Sequence, residues 1–393
     1  MPDVALNFER AEYADRLARV RAAMAKADLD LLWITDPSNM HWLTGYDGWS
    51  FYVHQGVMVS YDAEPVFWGR GMDAVGALRT AWMDAANCIG YADQYVMNPE
   101  AHPMEDAARL IRERAPGARR IGAELDNYYY SAKAHAVLTA ALPDRLFADA
   151  TGLVNWQRTV KSPQEIAYIR RAADIVGRMH EAIRETIRPG LRKNELVAEI
   201  YRAGIVGTEE AGGDYPAIVP LLPTGKDASA AHLTWDDRPF EAGAGTFFEI
   251  AGCHRRYHAP LCRTAFLGEP PRAMREAETA LLEGLEAGID AARAGNVAGD
   301  VARALAGTLA KYGIVKDGRC GYPIGVSYPP DWGERTISFR ESDTTELQPG
   351  MTFHYMPGLW FDDWGLEITE TILIREDGAA ECLASVPRGL VVK

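Results

Sequence analysis

Ser162-Pro163-Gln164-Glu165 constrains this chain more than any other stretch. Ser162 can cap a helix, Pro163 suits its first turn, and Glu165 is placed to reach back to the cap, so the spacing predicts a helix beginning at residue 163. Ile166, Ile169, Ala173, Val176, Met179 and Ile183 continue the apolar face until Pro189-Gly190 ends it. A long helix opening near the middle of 393 residues divides the chain, and the expected domains are 1–157 and 158–393.

The first part alternates helical and strand patterns. Phe8 to Asp28 carries Leu17, Val20, Ala23 and Met24 at helical spacing, and the apolar run Leu31 to Ile34 reads as a strand. Thr35-Asp36-Pro37-Ser38-Asn39 reads as a loop. Strand patterns follow within Gln55 to Trp68 and at Arg120 to Gly122, and helices over Met104–Arg114 and Ser131–Leu142, which makes an α/β unit. In the second part helices are expected over Glu195–Val206, with Asn194 as N-cap, Pro271–Arg293 and Val297–Tyr312. Strands are expected over Thr246–Ala251, Tyr257–Leu267, Thr352–Tyr355 and Glu367–Arg375. Blocks of strands and helices point to α+β.

Charge narrows the partners. With 41 Lys and Arg against 55 Asp and Glu, the net charge of −14 works against a surface for nucleic acid or anionic lipid. Five scattered cysteines without a CxxC pair suggest neither a disulfide framework nor a zinc ribbon. The opening residues lack the apolar run of a signal peptide and no stretch approaches the ~20 apolar residues of a membrane span, so the cytoplasm is the expected compartment. No Gly-rich phosphate loop is present, so no nucleotide cofactor is expected.

Taken alone, the polar residues of the second part name no chemistry. Glu249 reads equally as a strand-end acid in water, His232 as a solvated loop residue, His258 as a hydrogen-bonded sheet residue and Tyr322 as core filler. His254 and His258, four apart, would suit a metal on a helix better than on the strand expected there.

In order, however, Val160 to Ile166, Pro216-Ala217-Ile218-Val219, His232, Gly245 to Glu249, Arg263-Thr264, Gly321 to Gly325, Pro349-Gly350-Met351 and Pro357-Gly358 resemble the creatinase/prolidase/methionine aminopeptidase family. The resemblance covers the whole chain, including Asn39 to Tyr46. It implies a pita-bread α+β catalytic domain with a smaller α/β N-terminal domain, a homodimer, and a site between pseudo-symmetric halves. The family's metallopeptidases hold two metals with Asp, Asp, His, Glu and Glu. Carried over by position, these fall on Glu249, Pro260, Tyr322, Met356, and Thr369 or, with a slip of one, Glu370. At least three of the five ligands are gone, so no metal and no cofactor are expected.

His232 falls where the metal-free member creatinase has its general acid and base, a role an imidazole suits near neutral pH. Gly212 to Pro223, Ser327 to Arg335 and Gly45 to His54 resemble those metal-free members that open a cyclic amidine. The expected partner is therefore a small cyclic amidine bearing a carboxylate. Glu249 would pair with the amidinium, and then attack it or activate water, with His232 moving the proton. Trp49, Tyr52, Tyr215 and Trp360 are candidate aromatic contacts. Strand alternation adds His258, His354 and Glu367, each two residues from a lost ligand position, and Tyr322 stands at a third. The resemblance implies that the N-terminal domain of one subunit approaches the site of another, and the Trp49 to His54 segment is the candidate for that reach. Arg335 and Arg340 are candidates for the substrate carboxylate, whereas Arg263 reads as structural. A different metal-free amidine or guanidine hydrolase or lyase is the alternative, and a binding module without catalysis is the third reading.

Overall fold

A computed structural model describes residues 4–393, and the chain divides after Gln157 into two compact units. In the first, α1 (Arg10–Lys26), β1 (Leu31–Ile34), α2 (Pro37–Thr44), β2 (Gly56–Val59), β3 (Val66–Arg70) and α3 (Gly71–Thr80) precede β4 (Cys88–Tyr91) and α4 (Met104–Arg114). Then come β5 (Arg120–Ala123), α5 (Ala132–Ala141), β6 (Leu146–Asp149) and α6 (Leu153–Gln157). The six strands form one sheet in the order β4-β3-β2-β1-β5-β6, antiparallel at β1–β2 and β2–β3 and parallel elsewhere. Leu31, Trp33, Trp68, Ile111, Ile121 and Leu138 are among its core.

The expected loop at residues 35–39 is instead the entry to α2. Asp36 caps it by accepting from the Ser38 nitrogen, and Pro37 occupies the first turn. The turn-like residues were a helix start, and α2 is buried all round, so it carries no amphipathic stripe to announce it. The buried Glu124 carboxylate ties this entry to the end of β5, accepting from the backbone nitrogens of Thr35 and Asp36 at 2.7 and 2.8 Å and from Asn39 Nδ2 at 2.6 Å.

The second unit opens with α7 (Pro163–Thr186), whose capping box joins Ser162 and Glu165 as the spacing requires. α8 (Lys193–Val206) starts two residues earlier than expected. Its cap residue is Arg192, whose nitrogen donates to the Glu195 carboxylate, and not Asn194. β7 (Gly245–His254) and β8 (Tyr257–Phe266) form a long antiparallel hairpin that pairs Glu249 with Cys262. Ile175, Val176, Met179 and Ile183 of α7 meet Phe248 and Ile250 of β7 and Leu261 of β8 in one core. Gly252 permits that approach, because a Cβ there would run into the Ala172 carbonyl.

The other half of this unit packs α9 (Arg272–Ala291) and α10 (Ala298–Ala310) on strands β9 (Gly321–Pro323), β10 (Thr352–Tyr355), β11 (Gly358–Trp360), β12 (Gly365–Glu367), β13 (Glu370–Leu373) and β14 (Glu381–Cys382). β14-β13-β10-β9 is one sheet, β11-β12 a hairpin, and β15 (Val391–Val392) joins β8 and β7. The expected strand Glu367–Arg375 is broken into β12 and β13. At the break, the Glu367 and Thr369 nitrogens donate to Thr264 Oγ1 and the Cys262 carbonyl, so the chain is pulled onto β8. Among the described residues no helix is long and apolar enough to cross a membrane.

Candidate active site

Strand alternation places the site. Phe248 and Ile250 face the helices, so Glu249 and Phe247 face the other way, where Phe247 meets Ala228, Cys262 and Trp360. On β8 the same parity sets Pro260, Cys262 and Thr264 on the site side. Thr264 Oγ1 donates to the Glu367 carbonyl at 2.9 Å and accepts from its nitrogen at 3.0 Å, which fixes Glu367 at the end of β12. β10 sets His354 directly opposite Tyr322 of β9.

These side chains form one buried cluster. Tyr322 Oη lies 3.0 Å from His354 Nδ1 and accepts from Trp332 Nε1 at 2.8 Å. His354 Nε2 lies 2.8 Å from Thr369 Oγ1, and that oxygen accepts from the Cys262 nitrogen at 2.7 Å. Glu249 Oε1 is 3.9 Å from His354 Nδ1. Burial holds the His354 imidazole far down, to about 3, so it is neutral and this contact is not an ion pair.

The two carboxyls dominate the electrostatics. Burial pushes Glu367 up to about 7. Burial first, and then the charge of Glu367, lift Glu249 well above the carboxylate range. Two such groups close together hold a proton at neutral pH. Neither Glu367 oxygen accepts from an N–H or O–H group, and the Cys262 thiol is the polar group beside it. Among the described residues Glu249 has no hydrogen-bond donor either. Buried carboxyls left in this way call for a cationic partner. Lys316 acts on Glu367, its Nζ donating to the Gly358 carbonyl and lying 4.9 Å over Trp360, and Arg319 lies 4.5 Å over the Tyr322 ring.

The remaining expected residues lie elsewhere. His232 sits in an exposed turn, and no hydrogen bond or ion pair joins it to Glu249. The imidazole beside Glu249 is that of His354. His258 has both ring nitrogens engaged with backbone, Nε2 accepting from Ala217 and Nδ1 bonding the Arg256 carbonyl, so it clamps the 213–219 segment. Tyr215 lies under the Arg256 guanidinium at 3.8 Å. Trp49 and Tyr52 are exposed on the first unit. Arg335 and Arg340 are exposed, and Arg263 is buried among carbonyls and Glu370. Cys262, Trp332, Lys316 and Arg319 were not singled out from sequence. Cys262 could have been, since it lies two residues past Pro260 on the same strand face.

The residues present do not fit a two-metal centre. Pro260 offers no donor, Met356 a weak one, and Tyr322 spends its oxygen on Trp332 and His354. The last position is settled by hydrogen bonding, because Thr369 faces the cluster whereas Glu370 turns away to Arg263 and Arg388. Among the described residues no group of three His, Cys, Asp or Glu side chains is placed to hold a metal ion.

Comparison with known sequences places the chain. The sequence profile of metallopeptidase family M24 matches residues 167–376, and that of the creatinase/prolidase N-terminal domain matches residues 16–160. The chain belongs to the M24 family. It is a hydrolase of that family with the pita-bread fold. A protein named ectoine hydrolase from Halomonas elongata is 59% identical, with all of both chains covered. An uncharacterised hydrolase/peptidase from Sinorhizobium fredii is 40% identical over 99% of each chain. Among solved structures, a prolidase from Thermococcus sibiricus superposes with a TM-score of 0.83 at 17% identity, covering 97% of this chain and 99% of that one, which speaks for the fold alone.

Proposed function

We propose that this M24 member hydrolyses the cyclic amidine of ectoine, without a metal, to N-acetyl-2,4-diaminobutyrate. The observation that carries the reading is the pair of buried carboxyls, Glu249 and Glu367, neither of which accepts from an N–H or O–H group, with Glu249 at a position where the family's peptidases keep a metal ligand. The 59% identity to an ectoine hydrolase over the full length supports the substrate.

A peptide offers such a pair a neutral carbonyl, whereas an amidinium offers positive charge and N–H donors in a fork that matches a carboxylate. A divalent cation in the same place would repel it. Binding of the cation favours ionisation of both acids, so the pair releases its proton as the substrate enters. Glu249 then acts on the ring carbon between the two nitrogens, directly or through a water it deprotonates. The new C–O bond forms as the C=N electrons move onto nitrogen. One ring C–N bond then breaks, its electrons leave with nitrogen, and nitrogen takes up a proton. In the direct route water then cleaves the adduct and frees Glu249, so in either route one water is consumed, and one amide and one amine result. His232 enters the proposal on the family resemblance, as the proton carrier between solvent and the leaving nitrogen.

Incubation with ectoine in excess chelator, followed by mass spectrometry, tests this. N-acetyl-2,4-diaminobutyrate should accumulate at the rate seen without chelator. A rate that returns only with added manganese, iron or zinc would overturn metal independence, and no product under any condition would overturn the substrate.

A further inference from the structure

The two tautomers of His354 send the Tyr322 proton to different places. Among the described groups, Thr369 Oγ1 already accepts from the Cys262 nitrogen at 2.7 Å, and the acceptor within reach of its own proton is His354 Nε2 at 2.8 Å. With the Thr369 proton on Nε2, the proton of the neutral ring sits on Nδ1. Nδ1 donates to Tyr322 Oη at 3.0 Å. Trp332 Nε1, which can only donate, delivers a second hydrogen bond to the same oxygen at 2.8 Å.

With two donors on its oxygen, the Tyr322 hydroxyl has no acceptor for its own proton among the described groups. Next to this network stands Glu249, whose Oε1 lies 3.9 Å from His354 Nδ1. From this network we infer that Tyr322 is a catalytic residue that directs its O–H into the Glu249 site as a hydrogen-bond donor to the oxygen that joins the amidine carbon. Trp332, His354 and Thr369 are positioning residues that hold the phenol in that sense. Each donor onto the oxygen polarises the O–H outward, so the chain strengthens the bond it gives. The proton is donated and not transferred, since burial and the Glu249 charge hold the phenol well above its ordinary pKa. The role matches that of a preorganised donor aimed at the charge this oxygen gains as the tetrahedral adduct collapses to the amide carbonyl.

The inference rests on the proposed hydrolysis for its chemistry, but the tautomer does not, so the two fail separately. Nitrogen-15 NMR of histidine-labelled protein at pH 7, with His354→Gln to assign the signal, should show His354 protonated on Nδ1. Protonation on Nε2 would overturn the inference whatever the substrate. In the assay with ectoine, Tyr322→Phe should lower kcat by about 10²-fold, the usual loss for one such donor, with a smaller change in KM. Tyr322→3,5-difluorotyrosine keeps the packing and makes a stronger donor, so it should retain or exceed wild-type kcat below its own pKa. A Tyr322→Phe enzyme within threefold of wild type, or a difluorotyrosine enzyme as slow as Tyr322→Phe, would contradict the role.

Discussion

Glu249→Gln should leave the fold intact and abolish most turnover of ectoine. The substitution keeps the shape of a buried side chain while removing both the charge that meets the amidinium and the oxygen that attacks or deprotonates water. Loss of a positioned acid/base group typically costs ~10²–10⁴-fold, and the loss here should lie at or above the upper end because one group serves both binding and chemistry. His232→Ala should lower kcat by at least ~10²-fold without a change in melting temperature, since this side chain is exposed. The double variant should be little slower than Glu249→Gln alone, because members of one catalytic unit are not additive. Rapid quenching separates the two forms of attack, as a mass adduct on the Glu249 peptide reports direct attack. A Glu249→Gln enzyme with near-normal turnover would remove the residue from the mechanism.

The largest effect on stability is expected at Arg263. Its guanidinium is buried and donates to the carbonyls of Cys262 at 2.8 Å, Thr369 at 2.5 Å, Pro387 at 2.9 Å and Val386 at 2.9 Å, and to Glu370 Oε1 at 2.7 Å. It thus joins β8, the break before β13 and the C-terminal segment. Arg263→Met removes the charge but not the stem, and leaves those acceptors without their donor. Removing one partner of a buried pair costs roughly 3–5 kcal/mol, and Arg388, at 2.9 Å from the same Glu370 oxygen, holds the loss towards the lower figure. Urea unfolding should therefore show a loss of about 3 kcal/mol. A loss below about 1 kcal/mol would show that water replaces the guanidinium.

What the sequence made legible depended on periodicity. The capping box at Ser162 located the long helix, and alternation along β7, β8 and β10 put Glu249 and His354 on one side of their strands. α2 escaped because a uniformly buried helix has no stripe and its cap residues look like a turn. The break at Ile368-Thr369 escaped because its cause, hydrogen bonding to β8, lies 100 residues away in the chain. Alternation also says which face a residue takes but not what it meets there. His258 shares the face of Cys262, yet its nitrogens are taken by backbone of the 213–219 segment and its own strand. Trp332 lay inside a segment that carried the resemblance, but only the folded chain shows its indole nitrogen on Tyr322. The family position of His232 likewise carries no distance, and the structure sets His354 next to Glu249.

The central claim is that burial and mutual charge hold a proton on the Glu249 and Glu367 pair in the free protein, and that an entering amidinium displaces it to solvent. The most direct measurement is calorimetric titration of the chelator-treated protein with acetamidinium at pH 7, in two buffers of different ionisation enthalpy. Both carboxyls are raised by burial, Glu367 to about 7, and a bound cation lowers them, so binding should release a proton to the buffer. Glu249→Gln and Glu367→Gln should each reduce that release. Binding with no proton released, or binding that requires an added divalent metal, would contradict the account.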